Sequence, residues 1–485
     1  MNIMKNKIFN KLLWLLIIPV MIFISSCDEK LDLKPKQSID ASTALTTPEN
    51  IQATLVGAYL QARDADIFGS TFNEYSELLA ASNDLRFLGT YEQPREIINK
   101  EIAVTNSYIR DTWIATYDLL NMCNTLLDPE TMAILDAQDA TRIEGEAKFL
   151  RGWVLFEMTR LFGLPYEPGQ TNDQLGVPIV TTPTNDVSDA VNVARNTVET
   201  CYAQALSDLT DAKNNLPEIN DVYATTYAAS AVLARIYLQM NDFPNAADEA
   251  NRVIQSGYYS LNSTPLDAFN NKAATSEDIF ALQNNVASNT SWLTVMYASL
   301  NGMGRGDYDI QQVFLDTFDP ADLRAMYQGE AEMDDSYTIA NITKMYYYGV
   351  GAILNNGGIN TAKWGDYYAN ISLIRLAEMY LVRAEANFES TGPQIGPNSP
   401  LQDINVIRDR ALAPSLTGPV TQDQIRQERY WELCWEGHRL HDLKRWQLDI
   451  EEGLPYDAGN LILPIPFREM EANELLVQNT WYVTK

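Results

Sequence analysis

The chain has 485 residues, 46% of them hydrophobic and 10% aromatic, so it can bury a large core. Its 64 acidic residues outnumber 35 Lys and Arg, which gives a net charge of −29. No Lys/Arg run offsets this in the mature region, which excludes nucleic acid and anionic membrane surfaces as partners, since either needs a basic patch; the acidity serves solubility.

Length alone would suggest about three domains, but helical patterns scattered from about 107 to 450 predict one interleaved body, residues 43–485. Ahead of it, residues 1–26 read as a signal peptide. Lys5, Lys7 and Lys11 precede an apolar run over 12–24, broken only by Pro19. That run is shorter than the ~20 residues of a membrane-spanning helix and suits a secretory signal. It ends in Ile24-Ser25-Ser26-Cys27, which resembles a lipobox, so cleavage would leave Cys27 free for lipidation. An ordinary secretory peptide with a chance cysteine is the plainer alternative. Two acyl chains anchor a protein stably where one does not. Residues 27–42 are polar, contain Pro35 and keep no period, so they read as a tether.

Within the body, 141–162 and 190–216 are long helical patterns. The clearest unit is 225–256, where Ala229, Leu233, Ile236, Tyr237 and Met240 share one helical face. Asn241-Asp242-Phe243 breaks the pattern, Pro244 opens a second helix and Gly257 stands where a left-handed cap belongs. Ala247, Ala250 and Ile254 line the buried side of that second helix. Small alanines let antiparallel helices approach closely, and the unit matches the roughly 34-residue tetratricopeptide repeat. Residues 371–390 carry Leu373, Leu376, Ala377, Tyr380, Leu381, Ala384 and Phe388, with a further helix around Ile404 and Ile407. One pair cannot bury its own apolar face, so several must stack. Helical repeats are therefore expected over about 107–260 and 371–450, with a long excursion at about 284–370.

Several segments together carry a family resemblance. They are Glu146-Ala-Lys-Phe-Leu-Arg-Gly-Trp through Gly163; Ile374-Arg-Leu-Ala-Glu-Met-Tyr-Leu through Ala386; Ile404 through Arg410; Arg429 through Trp446; and Leu463-Pro-Ile-Pro466 with Glu469, Gln478 and Asn479. In that order they resemble the SusD/RagB family of outer-membrane nutrient-binding lipoproteins. Asp28-Glu29 after the cysteine resembles a surface-export signal of glycan-scavenging Gram-negative bacteria. Leu440 replaces the family's usual aromatic, and the terminal Asn-Pro and Gly are replaced around Asn473 and Asn479. The resemblance implies a mainly α fold: a tetratricopeptide-like half with an interleaved loop-rich half of short helices and a few short strands. It also implies oligosaccharide binding, or peptide binding in some members. Such proteins act as a lid on a TonB-dependent SusC-like β-barrel transporter, held at the cell surface by the lipid on Cys27, with the helical half facing the barrel.

The excursion combines Trp292, Tyr297, Tyr308, Tyr346, Tyr347, Tyr348, Trp364, Tyr367 and Tyr368 with Asn284, Asn285, Asn289, Asn355, Asn356 and many glycines. Sugars offer C–H faces that stack on rings and hydroxyl rims that take amide or guanidinium hydrogen bonds. Each ring could equally pack loops onto helices. The early segment 83–87, followed by Tyr91, occupies a region that often contributes to the family's binding face. The expected ligand-binding set is Arg86, Phe87, Tyr91, Trp292, Tyr297, Tyr308 and Trp364.

No cofactor, metal or catalytic group is expected. His438 and His441, the only histidines, lack a zinc-protease spacing; Arg439, Lys444 and Arg445 beside them are expected to meet acids such as Glu432 and Glu436. Cys123, Cys201 and Cys434 are widely spaced and read as small buried residues. Asp307-Tyr308-Asp309 lacks the remaining ligands of a calcium loop. No nucleophile elbow, P-loop or dinucleotide fingerprint is present. Three classes compete: a glycan-capturing lipoprotein, a peptide- or glycopeptide-capturing one, and a lipoprotein glycoside hydrolase.

Overall fold

The computed structural model describes residues 45–185, 191–284, 291–351 and 357–483. The expected signal peptide, Cys27 and the tether fall outside the described residues, as do Asn285, Asn289, Asn355 and Asn356 of the amide set.

The first helices are α1 (Pro48–Ala62), α2 (Thr71–Ala80), α3 (Glu92–Ile98), α4 (Ser107–Leu126), α5 (Ala137–Phe162), α6 (Val198–Asn215), α7 (Thr226–Gln239) and α8 (Phe243–Gln255). After α9 (Trp292–Tyr297) come α10 (Leu376–Glu389), α11 (Pro400–Arg410), α12 (Gln422–Leu433) and α13 (Arg439–Arg445). Packing runs from α1 to α4, α5, α6, α7, α8, α10 and α11 in turn, so the stack resumes after the excursion. Each helix covers the apolar face its predecessor leaves open, which is how a solenoid builds a core. α7 and α8 are the expected unit. Ala228, Ala229, Ala231 and Ala234 of α7 are fully buried, Asp242 caps α8, and Gly257 adopts φ +75°.

Two expected helices begin later than their patterns. The 190–216 pattern becomes helical only at Val198, because the Thr197 hydroxyl accepts the Thr200 N–H at 3.2 Å while Asn196 pairs its backbone with 176–177. Residues 371–375 form a strand that runs directly into α10. There Ile-Ser-Leu-Ile alternates faces and finds a partner strand.

The strands are β1 (Leu85–Phe87), β2 (Asp278–Leu282), β3 (Tyr308–Ile310), β4 (Tyr327–Gln328), β5 (Tyr346–Tyr348), β6 (Ile359–Thr361) and β7 (Ile371–Arg375). β2 and β7 pair antiparallel; the other five form a sheet in the order β1-β3-β6-β5-β4. Within it Leu85 opposes Ile310, Arg86 opposes Asp309 and Phe87 opposes Tyr308. Side chains alternate along a strand, so Phe87 and Tyr308 share the face toward the helices while Arg86 and Asp309 share the other.

A buried seam of charge joins the excursion to the late helices. Arg375 meets Glu277 at 2.7 Å, Glu432 at 3.1 Å and Glu436 at 2.7 Å; Arg410 also holds Glu277, and Lys363 also holds Glu436. This corrects the expected pairing of Glu432 and Glu436 with Arg439, Lys444 and Arg445. Arg445 instead binds Glu385 and Asp442, Lys444 donates to the Leu461 carbonyl, and Arg439 stacks over Tyr430. Burial together with neighbouring arginines holds His438 and His441 well below the usual histidine range. Cys123, Cys201 and Cys434 are free and buried, as expected.

Candidate functional site

The excursion meets the early segment at a small shelf of rings. β1 ends at Phe87, and the following turn carries Tyr91 up to the start of α3. Ser291 opens α9 through its hydroxyl and places Trp292 on the first turn. The Tyr91 and Trp292 rings lie 6.4 Å apart with 35° between their planes, and both stay partly exposed. Tyr367 closes in beside them, its carbonyl accepting the Ser291 N–H and its hydroxyl accepting the Gly304 N–H. Phe87, also partly exposed, lies under the Arg95 guanidinium, 5.5 Å from its ring centre.

Arg305 ties this face together. Its backbone N–H donates to the Val295 carbonyl of α9 at 2.7 Å. Its guanidinium sits 4.4 Å from the Tyr91 ring centre, donates to the Tyr91 and Thr90 hydroxyls, and pairs with buried Asp307 at 3.2 Å. The backbone reaches this position through Gly302, Gly304 and Gly306, all at positive φ. A Cβ on Gly304 would come within 2.0 Å of the Ala298 carbonyl oxygen, so only glycine allows the return. Arg305 was absent from the sequence-derived set, although an arginine between alternating glycines was the available signal.

Four members of that set are placed differently from expectation. Tyr297 and Tyr308 are 1% exposed and pack edge to face at 4.6 Å, beneath the shelf rather than on it. Trp364 is 6% exposed; its indole N–H donates to the Trp435 carbonyl and its ring packs on Phe269. These three rings hold the excursion onto the helices and offer a ligand no open face. Arg86 is exposed but lies on the other side of β1, bound to Asp309 at 2.6 Å. Tyr91 and Trp292 remain together, while the Phe87 ring neighbours Tyr308, 6.0 Å between centres.

Under the shelf, the Tyr308 hydroxyl donates to Glu74 of α2 at 2.7 Å, and Ser70 donates to the other carboxylate oxygen. Burial raises the Glu74 carboxyl from 4.5 to about 7 despite those donors. A carboxyl whose folded value exceeds its unfolded one binds more protons when folded, so stability falls as pH climbs between the two. Glu74→Gln should therefore gain roughly 2–3 kcal/mol on the wild type between pH 5 and 8. Urea midpoints at both pH values check this, and a pH-independent difference would remove the assignment.

A cavity of about 490 Å³ opens elsewhere, between α4, residues 178–184 and 191–193, and the C-terminal segment around Arg468. Its amides serve structure: Asn121 brackets the Thr184 backbone, Asn124 donates to the Val180 carbonyl and Asn473 to that of Val193. Trp113 and Tyr117 line it as well.

Comparison with known proteins agrees with this architecture. Residues 29–238 match a SusD-like family described as starch-binding and associating with the outer membrane, and residues 325–461 match the SusD family. The chain belongs to the SusD/RagB family. It is 25% identical to SusD-like protein P25 of Formosa agariphila, over 94% of this chain and 95% of that protein. A SusD superfamily structure from Bacteroides thetaiotaomicron superposes with a TM-score of 0.75 at 25% identity, covering 89% of this chain and 99% of that one. A laminarin-binding SusD-like protein superposes at 0.70 with 24% identity, covering 90% and 100%.

Proposed function

We propose that this SusD-family chain is a non-catalytic surface lipoprotein, anchored through Cys27, that captures oligosaccharides and passes them to a TonB-dependent β-barrel transporter. The observation that carries the reading is the partly exposed Tyr91–Trp292 pair, edged by the Arg305 guanidinium and the Tyr91 and Thr90 hydroxyls that accept from it. Rings at that spacing offer stacking faces to the C–H side of a sugar, and the polar edge answers its hydroxyls. The match to a family described as starch-binding and outer-membrane-associated supports both ligand class and location. Glycoside hydrolysis needs two available carboxylates across the scissile bond. Asp307, just ahead of β3, and Asp309, on the face of β3 away from the shelf, are instead held by Arg305 and Arg86.

The test is affinity electrophoresis of the mature chain, starting after Cys27, in gels containing starch, laminarin, xylan or pectin, with a reducing-end assay alongside. Retardation by at least one glycan without release of reducing ends is expected. Steady turnover would replace capture with hydrolysis, and retardation by none would shift the reading to peptides.

A further inference from the structure

Arg305 is bonded to both ring-bearing segments of the shelf. It reaches α9, which carries Trp292, through its backbone N–H, and the turn carrying Tyr91 through its guanidinium. The guanidinium keeps its plane across Tyr91 because something behind it fixes its Nε: both oxygens of Asp307, at 3.2 and 3.3 Å. Asp307 is itself fully buried, and its carbonyl accepts the Leu88 N–H at 2.7 Å. Asp307 touches neither shelf ring directly in this arrangement; its hold on them runs through Arg305.

We propose that Asp307 is a positioning residue of the shelf: its carboxylate locks Arg305 across Tyr91 and so sets the angle between the Tyr91 and Trp292 rings. This rests on the reading of the shelf as the glycan site, but its own test needs no glycan. The lock is electrostatic and therefore titrates. Burial raises the Asp307 carboxyl and Arg305 opposes that rise. The other groups facing the cluster are Glu74 of α2, Asp66 ahead of it, Tyr108 of α4 and Tyr91. Protonation of Asp307 removes its attraction for the guanidinium, so the rings loosen as pH falls.

The experiment is fluorine NMR of the mature chain labelled with 5-fluorotryptophan, with the Trp292 resonance identified by its loss in Trp292→Phe. In the wild type that resonance should move on acidification. In Asp307→Asn it should sit at a different shift at pH 7 and stay flat, and Arg305→Lys, which keeps the charge but loses the planar fork, should also displace it. A wild-type shift and pH profile in Asp307→Asn would overturn the proposal. Persistent titration in that variant would also overturn it, by assigning the effect to Glu74. Arg305→Lys changes a partly exposed side chain and keeps the test open if Asp307→Asn fails to fold. Binding is a separate arm: Asp307→Asn should weaken retention by laminarin or starch about tenfold at pH 7 through lost preorganisation. If neither Asp307→Asn nor Trp292→Ala affects retention while the fluorine signal responds, the lock stands and the glycan reading fails.

Discussion

Replacing Arg375 with methionine is expected to cost about 3–5 kcal/mol of folding free energy, the usual loss when one partner of a buried ion pair is removed. Its side chain is 1% exposed and its guanidinium is shared among Glu277, Glu432 and Glu436. Without it, Arg410, Arg324 and Lys363 must neutralise the same three buried carboxylates. Burial alone would raise the Glu432 carboxyl, yet Arg410, Arg375, Arg324 and Lys363 hold it well below the usual range. A carboxyl depressed in this way stabilises the fold above its unfolded value, and that contribution disappears as pH falls through its folded value. The deficit of Arg375→Met should accordingly be full at pH 7 and shrink in strong acid. An exposed pair behaves differently: Lys344→Ala, which breaks the contact with Glu332, should cost under about 1 kcal/mol. Urea titrations of both variants decide the matter; a cost for Arg375→Met no greater than that of Lys344→Ala would mean the seam is not what holds the excursion to α12.

The helical framework was legible because its signal is local. The faces of α7 and α8, the break at 241–243 and the turn at Gly257 all lie within the single stretch 226–257. The site was only half legible, for a reason also visible in particular residues. Composition finds rings but not the direction they face, so Trp292 and Tyr297, five residues apart at opposite ends of α9, looked alike; one is partly exposed and the other buried. Arg86 and Phe87 are neighbours in sequence and were grouped together, yet a three-residue strand sends them to opposite faces. Recognising β1 as a strand would have separated them. Of the two acids that Arg445 binds, Glu385 was beyond reach, because it lies some 60 residues upstream and meets Arg445 only after the stack has formed.

Trp292→Ala should weaken glycan binding by about 2 kcal/mol, or roughly 30-fold, the scale of an interface anchor, while leaving the fold nearly intact. Leu293 and Met296, at 1% and 0% exposure, keep α9 in the core, and Ser291 still caps it. The contrast with Tyr297→Ala separates site from support. Removing that buried ring takes away its contact with Tyr308 and should cost about 3–5 kcal/mol of stability. Any loss of binding in Tyr297→Ala would then track the unfolded fraction, whereas in Trp292→Ala it would appear in fully folded protein. Stacking of a neutral sugar also predicts little change with added salt despite the −29 charge, since the ligand carries nothing for the field to act on. A steep salt dependence would instead assign the ligand a charge and make the Arg95 and Arg305 guanidiniums, not the rings, the main grip. If folded Trp292→Ala retained wild-type affinity for every glycan the wild type holds, the shelf would not be the binding site.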